Sequence, residues 1–482
     1  MNHSDGPDTG TPISGTPDTT RLRWCAYSLL IALAVGNMTG RILAVNSVDR
    51  VLLERHLKRQ GRKDWQQQRP FLSANDRSRW LTVRSLVEHG TYAIDDVTAE
   101  PLWDTIDMVK HKDRDGQVHL YSSKPPIIST LLAGQYWVIH RLTGKTLSSH
   151  PYEIGRFMLI TFNVLPLVLM FVLLGRLVDR FATIDWARLF IMAAATFGTF
   201  LTTFAVVLNN HLFAAVSVAV ALCAIVRIWC DGEQRKRYFA VAGLAAAFTA
   251  ACELPALAFF AAVTAALLWK NPRQTLLAYM PPAMIVVVAF FTTNYIAHDS
   301  FRPPYMHRSD TDPEDHWYKY TFERDGRERQ SYWMNRQGID RGEVSRIVYA
   351  QHVLVGHHGI FSLTPVWLLS ALGMAIWLVW GDADRRNIAV LVASVSLVCL
   401  VFYLLRPQID RSYGGMTSGF RWMFWFAPLW LVTMAPAVDW MARRRTTRGI
   451  ALAMLAWSVV CASYPTWNPW TPPLLHILLG YL

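Results

Sequence analysis

Charge is scarce in this sequence: only 17% of its 482 residues are Asp, Glu, Lys or Arg. A soluble chain carries about 25%. The shortfall excludes an ordinary water-soluble domain of this length. Paired cysteines are missing as well. The six cysteines (Cys25, Cys223, Cys230, Cys252, Cys399 and Cys461) sit in or beside apolar runs, with neither CxxC spacing nor a disulfide-framework pattern, so they read as packing residues. No internal repeat appears, which argues against a transporter built from duplicated halves. No glycine-rich stretch has the spacing of a nucleotide-binding loop.

What is abundant is apolar sequence. Hydrophobic residues make up 52% of the chain, and the mean hydropathy is +0.20. Runs such as "FMLITFNVLPLVLMFVLLG" (157–175) and "NIAVLVASVSLVCLVFYLL" (387–405) are long enough to cross a hydrocarbon layer of about 30 Å as helix. The expected fold class is an all-α polytopic membrane protein with about 11 transmembrane helices and juxtamembrane helices on the outer face. The spans are read at 24–45, 155–176, 186–207, 211–230, 237–252, 254–270, 275–296, 359–380, 387–405, 419–441 and 448–465. Residues 1–23 are expected to form a disordered cytoplasmic tail, polar and Ser/Thr/Gly/Pro-rich through residue 20. Residues 24–482 form a single transmembrane domain, and the first span is a retained signal anchor.

The net charge of +12 follows topology and does not suggest nucleic acid. With the N-terminus inside, Arg176/Arg180, Arg235–Arg237, Lys270/Arg273, Arg385–Arg386 and Arg443–Arg445/Arg448 all fall on the inner side. Two long loops, 46–154 and 297–358, then share the outer side. Both are rich in charge, Trp, Tyr and His, and both are expected to be folded. Counting 126–141 as a further span would invert every later loop, so it reads as a juxtamembrane or re-entrant helix on the outer face. The outer 406–421 loop breaks the charge rule with Arg406, Arg411 and Arg421.

Two stretches of the first outer loop stand out. "NDRSRWLTVRSLVEHGTYAIDD" (75–96) fits a short amphipathic helix, with Asp76, Arg79 and Trp80 on one face at its start. Asp76 also suits an N-cap. About 45 residues later "YSSKPPIISTLLAG" (121–134) sets Lys124 and two prolines ahead of an apolar run. Pro in a first helical turn and an interfacial Lys are ordinary features. A cation at the rim of a wet cavity is the alternative.

The order of these elements resembles the type C (GT-C) glycosyltransferases that use polyprenyl-phosphate-linked sugars, in particular the lipid A aminoarabinose transferases and protein O-mannosyltransferases. The matching residues are Asp76, Arg79-Trp80, Gly90-Thr91-Tyr92, Tyr121-Ser122-Ser123-Lys124-Pro125-Pro126, Arg156 opening the next span, and "GFRWMFWFAPLWL" (419–431). Two features depart from it. Arg77 stands where the family often has Glu, and "LNNH" (208–211) has no carboxylate. The resemblance implies a membrane glycosyltransferase, multi-pass in the plasma (inner) membrane, with an extracytoplasmic active site. Its donor would be a polyprenyl-phosphate sugar. Its acceptor would be a hydroxyl or phosphate on a lipid, glycan or protein. Asp76 is the candidate base, or the carboxylate that orients the acceptor. Arg79, Lys124, Arg156 and Arg421 are candidates for the phosphate.

His211 can hydrogen-bond a sugar or phosphate, or be structural. Glu253 either faces the cavity or is paired. No cofactor is assigned. A divalent cation is one reading of the acidic "RSDTDPEDH" (308–316), a solvated turn the other. His357-His358 can meet substrate at a cavity edge, but adjacent histidines do not share a helical face. The competing functions are a transporter or lipid flippase with a cationic outer cavity, and an envelope protein without a site.

Overall fold

The computed structural model describes residues 17–59, 61, 71–100, 103–309, 311–324, 326–465 and 468–481. The chain is about 70% helical. Seven of the described helical segments are long and apolar enough to cross a membrane: Asp18–Ala44, Pro151–Phe181, Asp185–Val206, Asn210–Trp229, Pro272–His298, Ala383–Leu404 and Arg445–Ser463.

Four expected spans are shorter or broken. The helices Lys236–Cys252 and Leu257–Lys270 have 17 and 14 residues. The segment at 359–380 divides at Pro365 into Ile360–Leu363 and Val366–Trp380. The segment at 419–441 is a 3-10 turn, Arg421–Phe426, followed by Ala427–Thr433 and Ala435–Met441. Pro428 and Pro436, each lacking an amide donor, sit near the start of these last two pieces.

The tail boundary also differs. Helix α1 (Pro17–Arg59) already contains residues 17–23, and it runs 14 residues beyond position 45. Residues 1–16 lie outside the described residues.

Both long loops are folded, and each adds a small antiparallel hairpin to an otherwise helical protein. The first contains α2 (Ala74–Glu88), α3 (Asp95–Ala99), strands β1 (Met108–Lys112) and β2 (Val118–Ser122), and α4 (Pro126–Thr143). Met108 pairs with Ser122 in the hairpin. The second contains β3 (Thr321–Arg324), β4 (Arg327–Gln330) and a helix, Arg346–Leu354.

Segment 126–141 is helical, and α4 packs chiefly along α2, with further contacts to α5 (Pro151–Leu159) and Met280–His298. Glu88, at the end of α2, accepts from the Tyr136 hydroxyl at 2.6 Å and from the Leu147 amide at 2.9 Å, which fixes where α4 ends.

The two ends of the helical bundle differ in chemistry. At one end Arg23 pairs with Asp179 and Asp185, both at 2.8 Å, and Asp439 accepts from Thr183. Arg448 lies over the Trp186 ring nearby. At the other end the short connections at 207–210, 252–255 and 405–421 meet both long loops around one cavity.

Small residues let the helices approach. A Cβ built on Gly243, in the helix Lys236–Cys252, would run into the carbonyl oxygen of Tyr279. Gly243→Ala is therefore expected to cost about 1–3 kcal/mol, the range for overpacking. A lowered Tm of the detergent-solubilised protein checks it.

Candidate active site

The local sequence builds the site from α2 outward. Ser73 is the N-cap of α2, its hydroxyl accepting from the Asp76 amide at 3.1 Å. Asp76 is therefore not the cap but the third helical residue, its carboxylate accepting from the amide of Leu72, the residue before the cap, at 3.3 Å. Its other oxygen accepts from the Trp80 indole at 3.0 Å and from the Leu208 amide at 2.8 Å.

All three Asp76 contacts are N–H donors. The carboxylate is 1% exposed and does not line the cavity. Burial pushes its pKa up to about 7 even though these donors favour the ionised form. The expected base thus sits behind the wall, as a strut between α2 and the turn that leads into the helix Asn210–Trp229. Asp76→Asn puts an amide N–H against an N–H. It is expected to cost about 1–3 kcal/mol of stability, as for an orphaned buried donor, and thermal unfolding measures this directly.

A carboxylate that does face the cavity, beside Lys124, is Asp107. Ser78 of α2 bonds the Ser122 hydroxyl at 2.6 Å and the Asp107 carbonyl at 2.5 Å. The Ser123 amide donates to the same carbonyl at 3.1 Å, extending the β1–β2 ladder by one step. That register places Asp107 beside the residues leading to Lys124, and Lys124 Nζ lies 3.1 Å from the Asp107 carboxylate. Burial pulls the Lys124 pKa down to about 8, with Asp107 opposing the shift.

The cavity measures about 460 Å³. Six basic residues line it (Arg79, Lys124, Arg308, Arg336, Arg406 and Arg421), against four carboxylates (Asp107, Glu253, Asp340 and Asp410). Three of the guanidiniums have no carboxylate within 4.0 Å among the described residues: Arg336, which donates to the Ile409 carbonyl at 2.6 Å, and the pair Arg79 and Arg421. Both are held by neutral groups. Arg79 donates to Asn75 Oδ1 at 2.6 Å and to Asn210 Oδ1 at 2.7 Å. Arg421 donates to the Gly414 carbonyl at 2.8 Å and to His211 Nε2, also at 2.8 Å, above the Trp470 ring. Burial lowers the Arg79 pKa to about 10.

Because Arg421 donates to His211 Nε2, that imidazole is neutral, with its proton on Nδ1 facing Glu253 Oε1. Asn210 Nδ2 donates to the same Glu253 oxygen at 2.7 Å. One carboxylate therefore orients both guanidiniums, each through one neutral side chain. Gly414 and Gly415, with φ of +92° and +84°, form the turn that presents the carbonyl to Arg421.

Arg79, Lys124, His211, Glu253 and Arg421 thus meet at one cavity, whereas Asp76 stands behind it. Arg156 does not line it; its guanidinium lies 5.8 Å from the Tyr152 ring on α5. Comparison with protein-family models finds no match, and none is found among curated proteins.

Sequence reasoning missed Asp107, Arg308 and Arg336. Of the basic residues in the 406–421 loop, Arg406 pairs with Asp410 at 2.7 Å, and Arg411 donates to the Val344 carbonyl at 2.8 Å, outside the cavity. The 308–316 stretch forms an ion-paired turn. Glu314 meets Lys112 at 3.1 Å and Asp315 meets Arg302 at 2.7 Å, while Asp310 lies outside the described residues. His357 and His358 pack against Tyr413, away from the cavity. Among the described residues no three His, Cys, Asp or Glu side chains converge as a metal-binding set.

An apolar groove of about 300 Å³ adjoins the polar cavity, and Ile128 lines both. Leu131, Phe162, Phe213 and Phe248 form much of its wall.

Proposed function

We propose that the protein is a membrane glycosyltransferase that moves a sugar from a polyprenyl-phosphate donor to an acceptor on the outer face of a plasma membrane. It would have about 11 spans once the short and broken helices are counted. The observation that carries this reading is the pair of carboxylate-free guanidiniums, Arg79 and Arg421, in a cavity that also holds a Lys124–Asp107 pair and opens beside an apolar groove.

A phosphodiester suits the cations, and an isoprenoid tail suits the groove. The acceptor oxygen attacks the anomeric carbon, and the bond from that carbon to the phosphate oxygen breaks, its electron pair leaving with the phosphate. The leaving polyprenyl phosphate gains negative charge, which Arg79, Lys124 and Arg421 would stabilise more strongly than the donor's single charge. Asp107 would take the acceptor proton.

The test is release of polyprenyl phosphate from a lipid-linked sugar by proteoliposomes. A flippase would move the intact lipid between leaflets and break no bond. Lipid movement without bond cleavage by the wild-type protein would retire the transferase reading.

The Lys124 ammonium supplies a pH signature. With a pKa pulled down by burial to about 8, Lys124 is mostly charged at pH 7, and the charge is lost as pH rises through 8. Affinity for polyprenyl phosphate is expected to fall by up to about tenfold between pH 7 and 9 from this group. Lys124→Arg should flatten that dependence, as titrations at the two pH values will show.

A further inference from the structure

We infer that the acceptor is a saccharide, held through its ring hydroxyls by the cavity wall that residues 305–340 supply. The inference rests on the transferase reading above. This wall differs chemically from the Arg79–Arg421 side. Arg308 shares one acid with the neighbouring 405–421 connection, Asp410 lying 2.7 Å from both Arg308 and Arg406, and Asp340 lines the cavity alongside the unpaired Arg336. A phosphate placed here would meet two carboxylates. A hydroxyl both donates and accepts, so it can satisfy a guanidinium and a carboxylate together.

Two donors of the wall's residues have no partner among the described residues. Trp333 Nε1 and Arg308 Nε are buried and have no acceptor. Buried donors are ordinarily satisfied, and both belong to residues that line the cavity. The wall is also prearranged. Arg336 is fixed at 2.6 Å to the Ile409 carbonyl and lies against the Trp333 ring, and Asp340 accepts from the Tyr332 hydroxyl at 2.8 Å. In the transfer step one saccharide hydroxyl forms the new bond to the anomeric carbon and gives its proton to Asp107. The phosphate oxygen leaves with the electron pair of the broken bond.

The experiment feeds radiolabelled sugar to the source organism, with and without the protein, and separates saccharide, protein and non-saccharide lipid fractions. Label is expected to disappear from a saccharide fraction. Loss confined to protein or to a non-saccharide lipid overturns the inference and leaves glycosyl transfer standing. No change in any fraction removes the transferase reading itself. Complementation with Asp340→Asn or Trp333→Phe should restore less than about a tenth of the saccharide label, equivalent to the loss of one buried hydrogen bond to a charged group or a little more. The same purified variants should bind polyprenyl phosphate within about twofold of wild type, on the other side of the cavity and with a tenfold loss of affinity equal to about 1.4 kcal/mol. Full restoration of label, or an equal loss of polyprenyl phosphate binding, means that this wall is not an acceptor subsite.

Discussion

Asp107→Asn should lose about 10²–10⁴-fold in sugar transfer, the usual contribution of a general base, while polyprenyl phosphate still binds. The substitution keeps the size of the side chain. It leaves the Ser78 and Ser123 contacts intact, because these go to the Asp107 backbone carbonyl and not to the carboxylate. Lys124 loses the ion-pair partner that favours its charged form, so binding is read below pH 7, where the ammonium stays charged and affinity is not expected to drop. Single-turnover transfer with the isolated donor reads the effect. Unchanged transfer would move the base to another group.

The contrast with Asp76 sharpens that test. Asp76 is saturated by three N–H donors and lies behind the cavity wall, so its substitution should show in unfolding. An Asp76→Asn variant with wild-type stability and no transfer would reverse the two assignments.

The second large effect is expected at Arg421. Arg421→Gln removes a half-buried cation that is fixed by the Gly414 carbonyl and His211 and that has no carboxylate to neutralise it. Charge-assisted hydrogen bonds contribute about 1.5–3 kcal/mol, so the Kd for polyprenyl phosphate should rise by about 10- to 150-fold. His211→Gln should recover part of the wild-type affinity relative to His211→Ala, because the Gln amide oxygen can still accept from Arg421. Equal affinities for Arg421→Gln and wild type, measured by direct binding, would place the phosphate elsewhere.

Much of the helical architecture was legible because apolar length and basic clusters report on it directly. The runs at 157–175 and 387–405 became long helices. The short outer connections were read from their lack of Lys and Arg, and the structure gathers them at one end with both long loops. Misjudged boundaries lay where proline breaks an apolar run, as at Pro365 and Pro428, since hydropathy counts composition and not backbone donors. Ser73 as the N-cap of α2 was also open to a sequence reading.

Asp107 was harder to find. It lies 17 positions before Lys124, and only the hairpin register, Met108 opposite Ser122, brings the two together. The "DRDG" turn at 113–116 between two short β-prone runs was the available signal.

By itself the sequence determined that the chain is a set of apolar helices with two folded polar loops and a cationic motif, because hydrophobic length and charge placement act locally along the chain. Tertiary structure alone decided which carboxylate meets the lysine, that Asp76 turns inward, and that Glu253 orients two distant arginines through Asn210 and His211. Those choices depend on hairpin register and helix packing, which join residues that no local pattern connects.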